Sequence, residues 1–295
     1  MKELVILSGK GGTGKTSLTA AFAFFSKSMV LCDADVDAAD LHLLMEPVVK
    51  QRFDFVAGNE AVITPDLCTQ CGLCIELCRF SAISEETFEV DPMECEGCGV
   101  CYDLCPEGAI DFPEKTCGEW YISDTRYGPM VHARLGIAEE NSGRLVALVR
   151  EEAKKIVHRE KTELILTDGP PGIGCPVIAS ISQANAVLVV AEPSVSGVHD
   201  LKRVGELAEH FKIPAMVCVN KCDLNPEKTK MIRDAAEENN YTYVGEIPFD
   251  KNFIESMIRK KSIIETGEKS DAGVAVRKIW ENVMEHPAMK IERLV

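Results

Sequence analysis

Long hydrophobic runs are missing from this 295-residue sequence, and so is any excess of positive charge. The longest uncharged apolar runs, such as 186–191, are far shorter than the ~20 residues that a membrane-spanning helix needs. Lys and Arg number 32 against 47 Asp and Glu, a net charge of −15, which argues against a nucleic-acid-binding protein. The N-terminus lacks the basic and apolar pattern of a secretory signal. We therefore expect a soluble, cytoplasmic protein.

Thirteen cysteines are unusual for such a chain, and in a large cytoplasmic protein they indicate metal ligands rather than disulfides. Eight of them lie between residues 64 and 113. Residues 65–112 also hold eleven acidic residues and one basic residue, Arg79. This change in composition predicts an inserted domain at 64–113 within a larger domain formed by 1–63 and 114–295.

Short apolar runs alternate with helical patterns in the flanking segments, which is typical of an α/β domain with a mostly parallel sheet and helices on both faces. The predicted strands are Leu4–Leu7, Met29–Cys32, Leu164–Thr167, Ala186–Ala191 and Ala215–Val219. The predicted helices are Leu18–Lys27, Arg144–His158, Asp200–Phe211, Pro226–Asn239 and Ala272–Glu285.

A glycine-rich loop follows the first predicted strand and opens the first predicted helix, which is the context that a Walker A motif requires. Glycines let backbone N–H groups approach a phosphate, and the helix N-terminus adds a favourable dipole. We expect Lys15 to bridge the β- and γ-phosphates, Thr16 to bind Mg²⁺ and Ser17 to reach the α-phosphate. The predicted nucleotide-binding residues of the loop are Gly11, Gly12, Thr13, Gly14, Lys15, Thr16 and Ser17.

A second lysine early in the loop, Lys10, is not needed by a subunit to hold its own nucleotide. With it, the loop Lys10-Gly11-Gly12-Thr13-Gly14-Lys15-Thr16 resembles the deviant Walker A motif of the MinD/ParA family, which includes the nitrogenase iron protein and the Mrp-type iron-sulfur carriers. The resemblance implies a SIMIBI-type P-loop fold and a dimer around nucleotide, either a homodimer or a heterodimer with a paralogous ATPase. It also implies that Lys10 reaches the partner's phosphates and acts in catalysis with Lys15.

The end of the second predicted strand, Leu31-Cys32-Asp33-Ala34-Asp35-Val36-Asp37, resembles switch I of the same family. The resemblance implies that Asp35 orients the attacking water and that Asp33 lies near the magnesium shell. Phosphoryl transfer needs mainly positioning and charge neutralisation, so carboxylates, Mg²⁺ and lysines are suitable parts.

Two later segments also match the family in order. The segment 165–172 resembles the Walker B strand and switch II, which implies that Asp168 holds Mg²⁺ through water and that the Gly172 N–H senses the γ-phosphate. A base-recognition loop follows a later strand, where Asn220 is expected to bond the purine. Asp223 completes an Asn-Lys-x-Asp pattern that GTPases use to read guanine, so ATP is favoured by the family and GTP stays an alternative.

Each half of the cysteine segment reads Cys-x₂-Cys-x₂-Cys-x₃-Cys, and the halves repeat at an offset of 27 residues. Bacterial ferredoxins use this spacing, in which three cysteines of one run and the fourth of the other hold each 4Fe-4S cluster. Zinc also uses Cys-x₂-Cys pairs and is the alternative. The predicted ligand sets are Cys68, Cys71, Cys74 and Cys105 for one cluster and Cys95, Cys98, Cys101 and Cys78 for the other. The predicted insertion is thus a small α+β dicluster ferredoxin domain.

The remaining cysteines and two histidines have less defined roles. Cys32 and Cys218 are expected to be small apolar residues in buried strands, and no partner is evident for Cys222. Cys175 lies seven residues after Asp168, where the nitrogenase iron protein has a cluster ligand; Cys117 is the one loose candidate for a second ligand. We expect His132 and His199 to be hydrogen-bonded structural residues.

Nearly the whole chain resembles MinD-superfamily ATPases that carry an inserted ferredoxin domain. The resemblance implies an ATPase with ATP, Mg²⁺ and two 4Fe-4S clusters, which couples the nucleotide state of a dimer to electron transfer and acts on a redox or iron-sulfur partner protein. The alternatives are an iron-sulfur assembly or carrier ATPase and a MinD/ParA-like spatial organiser. The terminal segment 274–295 has helical spacing, but acidic residues and Pro287 interrupt it, so we expect core packing rather than membrane binding.

Overall fold

The computed structural model describes residues 1–26, 28–136, 139 and 142–291. The chain forms two compact units. The first consists of Met1–Arg52, Trp120–Arg134 and the chain from Ser142 onward, and the second consists of Phe53–Glu119 with a short segment that begins at Leu135. Both boundaries of the second unit lie outside the predicted insertion at 64–113. The composition change marks only the cysteine pattern, whereas the compact unit also includes parts of the long strands on either side of it.

Eleven β-strands lie in the described part of the chain. They are β1 (Lys2–Ser8), β2 (Met29–Asp33), β3 (Val48–Asn59), β4 (Val62–Ile63), β5 (Ile110–Asp111), β6 (Glu114–Thr125), β7 (Gly128–Leu135), β8 (Leu164–Pro171), β9 (Ala186–Ala191), β10 (Ala215–Asn220) and β11 (Thr242–Ile247). Nine of them form one sheet in the order β11-β10-β9-β1-β8-β2-β7-β6-β3. Each pairing from β11 to β7 is parallel, which confirms the predicted mostly parallel sheet.

The same part of the chain contains eleven α-helices. They are α1 (Lys15–Phe25), α2 (Leu41–Met45), α3 (Leu73–Leu77), α4 (Val100–Leu104), α5 (Ser142–Glu160), α6 (Cys175–Ile181), α7 (Val195–His210), α8 (Pro226–Glu238), α9 (Asn252–Ile258), α10 (Ile263–Gly267) and α11 (Asp271–Glu285). All five predicted strands and all five predicted helices are present, with ends displaced by a few residues. The predicted end of the first helix, Lys27, lies outside the described residues.

Both faces of the central sheet are covered by helices. In β1, Leu4 and Ile6 pack in one apolar cluster with residues of α1 and α11, whereas Val5 and Leu7 pack in a second cluster with residues of α6 and α7. Successive side chains of a strand point to opposite faces, and a strand that is buried on both faces is apolar throughout. This explains why the central strands could be recognised as continuous apolar runs.

The terminal helix α11 packs in the first of these clusters through Val276, Ile279 and Val283, which are almost completely buried. This confirms the predicted core packing up to Glu285. The predicted segment continued to residue 295, and residues 292–295 lie outside the described part of the chain. No helix among the described residues combines the length and apolar character needed to cross a bilayer.

A buried ion pair fixes the start of β1 to helix α5. Arg150 donates to both carboxylate oxygens of Glu3, at 2.8 and 2.7 Å, and Thr167 donates to the same carboxylate at 3.1 Å. The side chains of Arg150 and Glu3 are only 5% and 3% exposed. In such a pair the hydrogen-bonding groups of both side chains have partners. Removal of one partner leaves a buried charge without a counter-charge, which is costly.

The second unit contains a structural repeat. Helices α3 and α4 have the same length, and Gly72 and Gly99 precede them with φ values of 79° and 75°. Positive φ at these two positions suits glycine, which lacks a Cβ. The antiparallel pair of β4 and β5 lies beside this repeat in the same unit. The sequence offset of 27 residues therefore corresponds to two similar turns that each lead into a short helix.

Candidate nucleotide site and cysteine cavities

The glycine-rich loop joins β1 to α1 and borders a cavity. The cavity has a volume of about 1480 Å³, which includes the open space at its mouth. Gly14 has a φ of 96°, and a Cβ at this position would lie 2.3 Å from the amide nitrogen of Asn220. Glycine is therefore required here both by backbone conformation and by space. The cavity is bordered by all seven predicted residues of the loop, namely Gly11, Gly12, Thr13, Gly14, Lys15, Thr16 and Ser17.

Lys15 and Asp35 border this cavity, and the buried carboxylate of Asp168 lies directly behind Lys15. Lys15 Nζ lies 3.0 Å from Asp168 Oδ1 and 3.3 Å from Asp35 Oδ2. Burial alone would lower the pKa of Lys15, but the charges of Asp168, Asp35 and Asp33 outweigh it and raise the pKa. Lys15 is therefore a buried ammonium group, poised at the point where a phosphate chain would enter between the loop and the switches.

Asp168 is the centre of a hydrogen-bond network. The hydroxyl of Thr16 donates to Asp168 Oδ2 at 2.7 Å, and that of Thr19 donates to Asp168 Oδ1 at 2.9 Å. Asp168 itself is completely buried. The predicted magnesium residues Thr16 and Asp168 are thus already adjacent. Thr19 was not among the predicted site residues, although its position one helical turn after Lys15 places it on the same face of α1.

The two carboxylates of switch I have different environments. Asp35 borders the cavity, and burial is the main cause that raises its pKa, partly offset by the charge of Lys15. Asp33 is fully buried and accepts hydrogen bonds from the backbone N–H groups of Asp35 and Leu41, at 3.2 and 3.3 Å. Burial, followed by the charge of Asp168, raises the pKa of Asp33 well above its usual range. Asp33 therefore shapes the switch I loop, and direct contact with a metal stays a prediction.

Gly172 and Asn220 are engaged by other parts of the site. The Gly172 N–H donates to the carbonyl of Ser8 at 2.9 Å, so its predicted contact with a γ-phosphate needs a local rearrangement and stays a prediction. The amide of Asn220 donates to the Thr13 carbonyl at 2.7 Å and accepts from the Lys221 N–H at 3.0 Å. Asn220 therefore braces the phosphate loop, a role that the sequence did not indicate. Its bond to a purine also stays a prediction.

Asp223 does not border the cavity. Its Oδ1 accepts a 2.6 Å hydrogen bond from the N–H of Phe249, which fixes the base loop to the following turn. Phe249 and Asp250 border the cavity on that side. The carboxylate expected to read guanine in the alternative is thus occupied by the backbone of its own subunit.

Lys10 does not border the cavity of its own subunit, and it forms an ion pair with Glu192. Its ammonium group also lies 3.4 Å from the hydroxyl of Ser194, at the N-cap of α7. The side chain of Lys10 is 37% exposed. Its predicted contact with the phosphates of a partner subunit stays a prediction.

Comparison with known proteins identifies the fold. A family model described as the CobQ/CobB/MinD/ParA nucleotide binding domain matches residues 4–263. The chain belongs to this family. It is thus a MinD/ParA-family nucleotide-binding ATPase, as its phosphate loop and switches predicted.

Individual relatives agree with this assignment. An uncharacterized protein of Methanocaldococcus jannaschii is 34% identical over 227 residues, which is 76% of this chain and 79% of that protein. The septum site-determining protein MinD of Pyrococcus horikoshii, complexed with Mg-ADP, superimposes with a TM-score of 0.60 at 17% identity and 96% coverage of both chains. MinD in a MinC:MinD cell division complex of Aquifex aeolicus has a TM-score of 0.58 at 20% identity, with 99% of each chain covered. At these identities the two structures establish the shared fold.

The second unit of this MinD/ParA-family ATPase has two cavities that divide the eight cysteines. A cavity of about 400 Å³, a volume that includes the open space at its mouth, is bordered by Cys68, Cys71, Cys74, Cys101 and Cys105. A cavity of about 310 Å³ is bordered by Cys78, Cys95, Cys98 and Cys101. Cys105 of the second repeat thus lies with thiols of the first, and Cys78 of the first lies with thiols of the second, whereas cluster ligation by these sets stays a prediction. All eight are free thiols.

The donor set in these cavities fits a polynuclear cluster. Backbone N–H groups of Gln70 and Ala109 donate to the sulfurs of Cys68 and Cys105, both at 3.4 Å, and such bonds stabilise thiolates. Among the described residues, no three His, Cys, Asp or Glu side chains converge closely enough to hold a single metal ion. Eight thiols around two cavities are the donors that two cubane clusters would need, and cluster binding stays a prediction.

The other cysteines are placed mainly as expected. Cys32 and Cys218 are completely buried in β2 and β10, and burial raises the pKa of Cys218 to about 12. Cys175 is exposed at the start of α6. Cys117 is buried, and its thiol donates to the Ala57 carbonyl at 2.7 Å, so it is not accessible as a second ligand at a subunit surface. Cys222 is partly buried in the base loop.

The two histidines differ. His132 is buried, shares a 2.9 Å hydrogen bond with Ser123 and stacks on Tyr121, which agrees with a structural role. Burial, followed by the charge of His42, lowers the pKa of His132 to about 4. The expectation for His199 was wrong, because its side chain is 69% exposed and its nearest carboxylate, that of Asp200, is 4.0 Å away.

Proposed function

We propose that the chain is a MinD/ParA-type ATP switch in which two copies close on Mg-ATP and separate after hydrolysis. The observation that carries this proposal is the cluster of Lys15, Asp168, Asp35 and Thr16, which is assembled beside the glycine-rich loop. The two carboxylates and the hydroxyl form a set of hard oxygen ligands, which is what Mg²⁺ prefers. The nearby ammonium group supplies the charge that a triphosphate needs.

The chemistry follows from the same residues. Lys15 would exchange its carboxylate contacts for the phosphate oxygens. Thr16 and Asp168 would hold Mg²⁺, which would supply positive charge to the β- and γ-phosphates. Asp35 orients a water molecule whose oxygen attacks the γ-phosphorus while the bond to the β–γ bridging oxygen breaks. The products are ADP and inorganic phosphate. Asp223 accepts the Phe249 N–H through one oxygen and does not border the cavity, which supports ATP as the substrate.

The family relationship supports a partner-binding organiser better than electron transfer as the output of this switch. The structurally similar proteins include a septum site-determining protein and a MinD in complex with MinC. By analogy, this chain would bind a partner protein in one nucleotide state and release it in the other. No residue of the described chain identifies that partner.

The two cysteine cavities favour a redox role for the second unit as a second candidate function. We infer that Cys68, Cys71, Cys74 and Cys105 hold one 4Fe-4S cluster and that Cys78, Cys95, Cys98 and Cys101 hold the other. Such clusters supply one-electron transfer when bound. The cysteines border two cavities, which supports two bound clusters; Cys71 and Cys98 are exposed, and the other six are half-buried.

Nucleotide binding and turnover test the ATPase proposal. Titration calorimetry with Mg-ATP is expected to show binding for the natural chain, loss of binding for Lys15→Met and retained binding without turnover for Asp35→Asn. Lys155→Met is the matched control, because Lys155 pairs with Glu152 on the exposed surface of α5. Equal binding and turnover in all four proteins would reject this site.

The redox candidate needs a separate measurement. Anaerobically purified protein is expected to contain about eight iron atoms per chain and to give an EPR signal after reduction. A change of that signal with Mg-ATP, absent with Mg-ADP, supports coupling between nucleotide and clusters. If the protein binds Mg-ATP but its EPR signal does not change, nucleotide-coupled electron transfer is rejected and the organiser function is retained as the proposal.

A further inference from the structure

One carboxylate, that of Glu192, connects two lysines that lie on different sides of the nucleotide site. Glu192 directly follows β9, and each of its oxygens is engaged by a different ammonium group. Lys10 Nζ pairs with Glu192 Oε1, and Lys221 Nζ lies 3.4 Å from Glu192 Oε2. Lys221 Nζ also donates to the Gly12 carbonyl at 3.0 Å. Glu192 thereby joins the phosphate loop to the end of β10.

This pair is partly shielded from solvent. The Glu192 side chain is 20% exposed, compared with 37% for that of Lys10. Partial burial alone would raise the pKa of Glu192, but the hydrogen bond and charge of Lys10, together with Lys221, outweigh it and lower the pKa. Glu192 is therefore ionised at neutral pH. Ser194 adds a neutral contact to Lys10 at 3.4 Å.

We propose that Glu192 is a positioning residue that holds Lys10 on its own subunit until a second copy of the chain docks. This inference rests on the proposed function, in which Lys10 engages phosphates bound by the partner. A lysine cannot keep a close pair with a carboxylate of its own subunit while it serves the phosphates of another. The Lys10–Glu192 pair therefore breaks as the dimer closes, and it opposes closure in the absence of a partner.

The expected size of this restraint is modest. A partly exposed ion pair changes an equilibrium by about two- to fivefold. A symmetric dimer breaks two equivalent pairs, so the effect on dimer dissociation is the square of this factor, about four- to twenty-fivefold. A restraint of this size limits premature closure without preventing the dimer that Mg-ATP stabilises.

The first test measures the reactivity of the Lys10 amine in the nucleotide-free chain. Glu192→Gln keeps the size of the side chain and removes its charge. Pulse labelling with an amine-reactive reagent, followed by mass spectrometry, is expected to modify Lys10 several-fold faster in this variant. Ser194→Ala removes only the neutral contact and is expected to change the rate by less than twofold. Glu152→Gln, which frees Lys155 on the exposed surface of α5, is the matched control and should leave Lys10 unchanged. Equal labelling of Lys10 in Glu192→Gln and the natural chain would overturn the proposal.

The second test measures the dissociation constant of the dimer. Sedimentation velocity with Mg-ATP, in an Asp35→Asn background that prevents turnover, is expected to give a dissociation constant about four- to twenty-fivefold lower when Glu192→Gln is added. An unchanged or higher constant would show that Glu192 does not oppose closure. If the Asp35→Asn chain fails to dimerise at all with Mg-ATP, the proposed function is wrong, and amine labelling still decides whether Glu192 holds Lys10.

Discussion

Thr19 Oγ1 lies 2.9 Å from Asp168 Oδ1, so the first helix and the Walker B strand share a buried hydrogen bond. Both side chains are completely buried, and Thr16 occupies the other oxygen of the carboxylate. Thr19 therefore helps to fix the orientation of the Asp168 carboxylate, together with Lys15 and Thr16. The orientation of this carboxylate depends on a residue outside the glycine-rich loop.

We predict that Thr19→Val lowers the kcat of Mg-ATP hydrolysis about tenfold, because a hydrogen bond to a charged group contributes about 1.5 kcal/mol or more. Valine keeps the shape of threonine but cannot donate to Asp168. Thr19→Ser retains the hydroxyl and is expected to remain within about twofold of the natural rate. Phosphate-release assays measure both variants. Turnover by Thr19→Val at the natural rate would contradict a positioning role.

The buried pair of Arg150 and Glu3 predicts a large effect on stability. Arg150→Met leaves the Glu3 carboxylate buried without its cation, and we expect a loss of about 3–5 kcal/mol in the free energy of unfolding. The double variant Glu3→Gln/Arg150→Met should recover part of this loss. Urea denaturation measures both. Arg159→Met is the control, because Arg159 pairs with Glu160 on the surface, and it should cost less than about 1 kcal/mol.

Because His132 is buried, we predict that the folded protein is less stable at acidic pH than at neutral pH. Its pKa is lowered from 6.5 to about 4, so the unfolded chain binds a proton here before the folded chain does. The stabilisation is therefore present above pH 6.5 and is lost as the pH falls towards 4. Between pH 7 and pH 5 the loss is about 2 kcal/mol by linkage.

The variant His132→Gln, which can still bond Ser123, is expected to remove most of this component from the pH dependence of urea unfolding. His199→Gln is the matched control, since His199 is exposed. The same pH slope in His132→Gln and in the natural chain would show that another group titrates.

The two cysteine cavities lead to a prediction about which cluster is lost when a single cysteine is replaced. Cys105 belongs to the second sequence repeat but borders the same cavity as Cys71. Cys71→Ala and Cys105→Ala are therefore expected to affect the same cluster, and Cys98→Ala the other one. Each variant should retain about four of eight iron atoms per chain.

EPR of the reduced variants distinguishes the two clusters. The spectra of Cys71→Ala and Cys105→Ala should match each other and differ from that of Cys98→Ala. Cys175→Ala, at an exposed cysteine outside both cavities, is the control and should retain all the iron. Matching spectra for Cys105→Ala and Cys98→Ala would contradict crossed ligation.

Local sequence was sufficient to predict the parts of the site that lie on one continuous segment. The place of the loop from Gly11 to Ser17 between a strand and a helix could be predicted because its spacing, its preceding strand and its following helix are all local features. The central strands were equally clear, since they are buried on both faces. In contrast, β3 was missed because most of its residues are exposed and it has no continuous apolar run.

Contacts between distant segments left no pattern in the sequence. The pairs Lys10–Glu192 and Asn220–Thr13 join residues more than 180 positions apart. Asn220 was expected to serve the base, and nothing nearby indicated that its amide also braces the phosphate loop. The structure was needed to show which polar side chains use their hydrogen-bonding groups within the protein.

The central claim is that Mg-ATP closes two copies of this chain through the site at Lys15, Asp35 and Asp168. Sedimentation velocity of the Asp35→Asn variant tests it most directly. We expect this variant to be a dimer with Mg-ATP and a monomer with Mg-ADP. We expect the Lys15→Met variant to stay monomeric with either nucleotide. The same mass with Mg-ATP and Mg-ADP in the Asp35→Asn variant would contradict it.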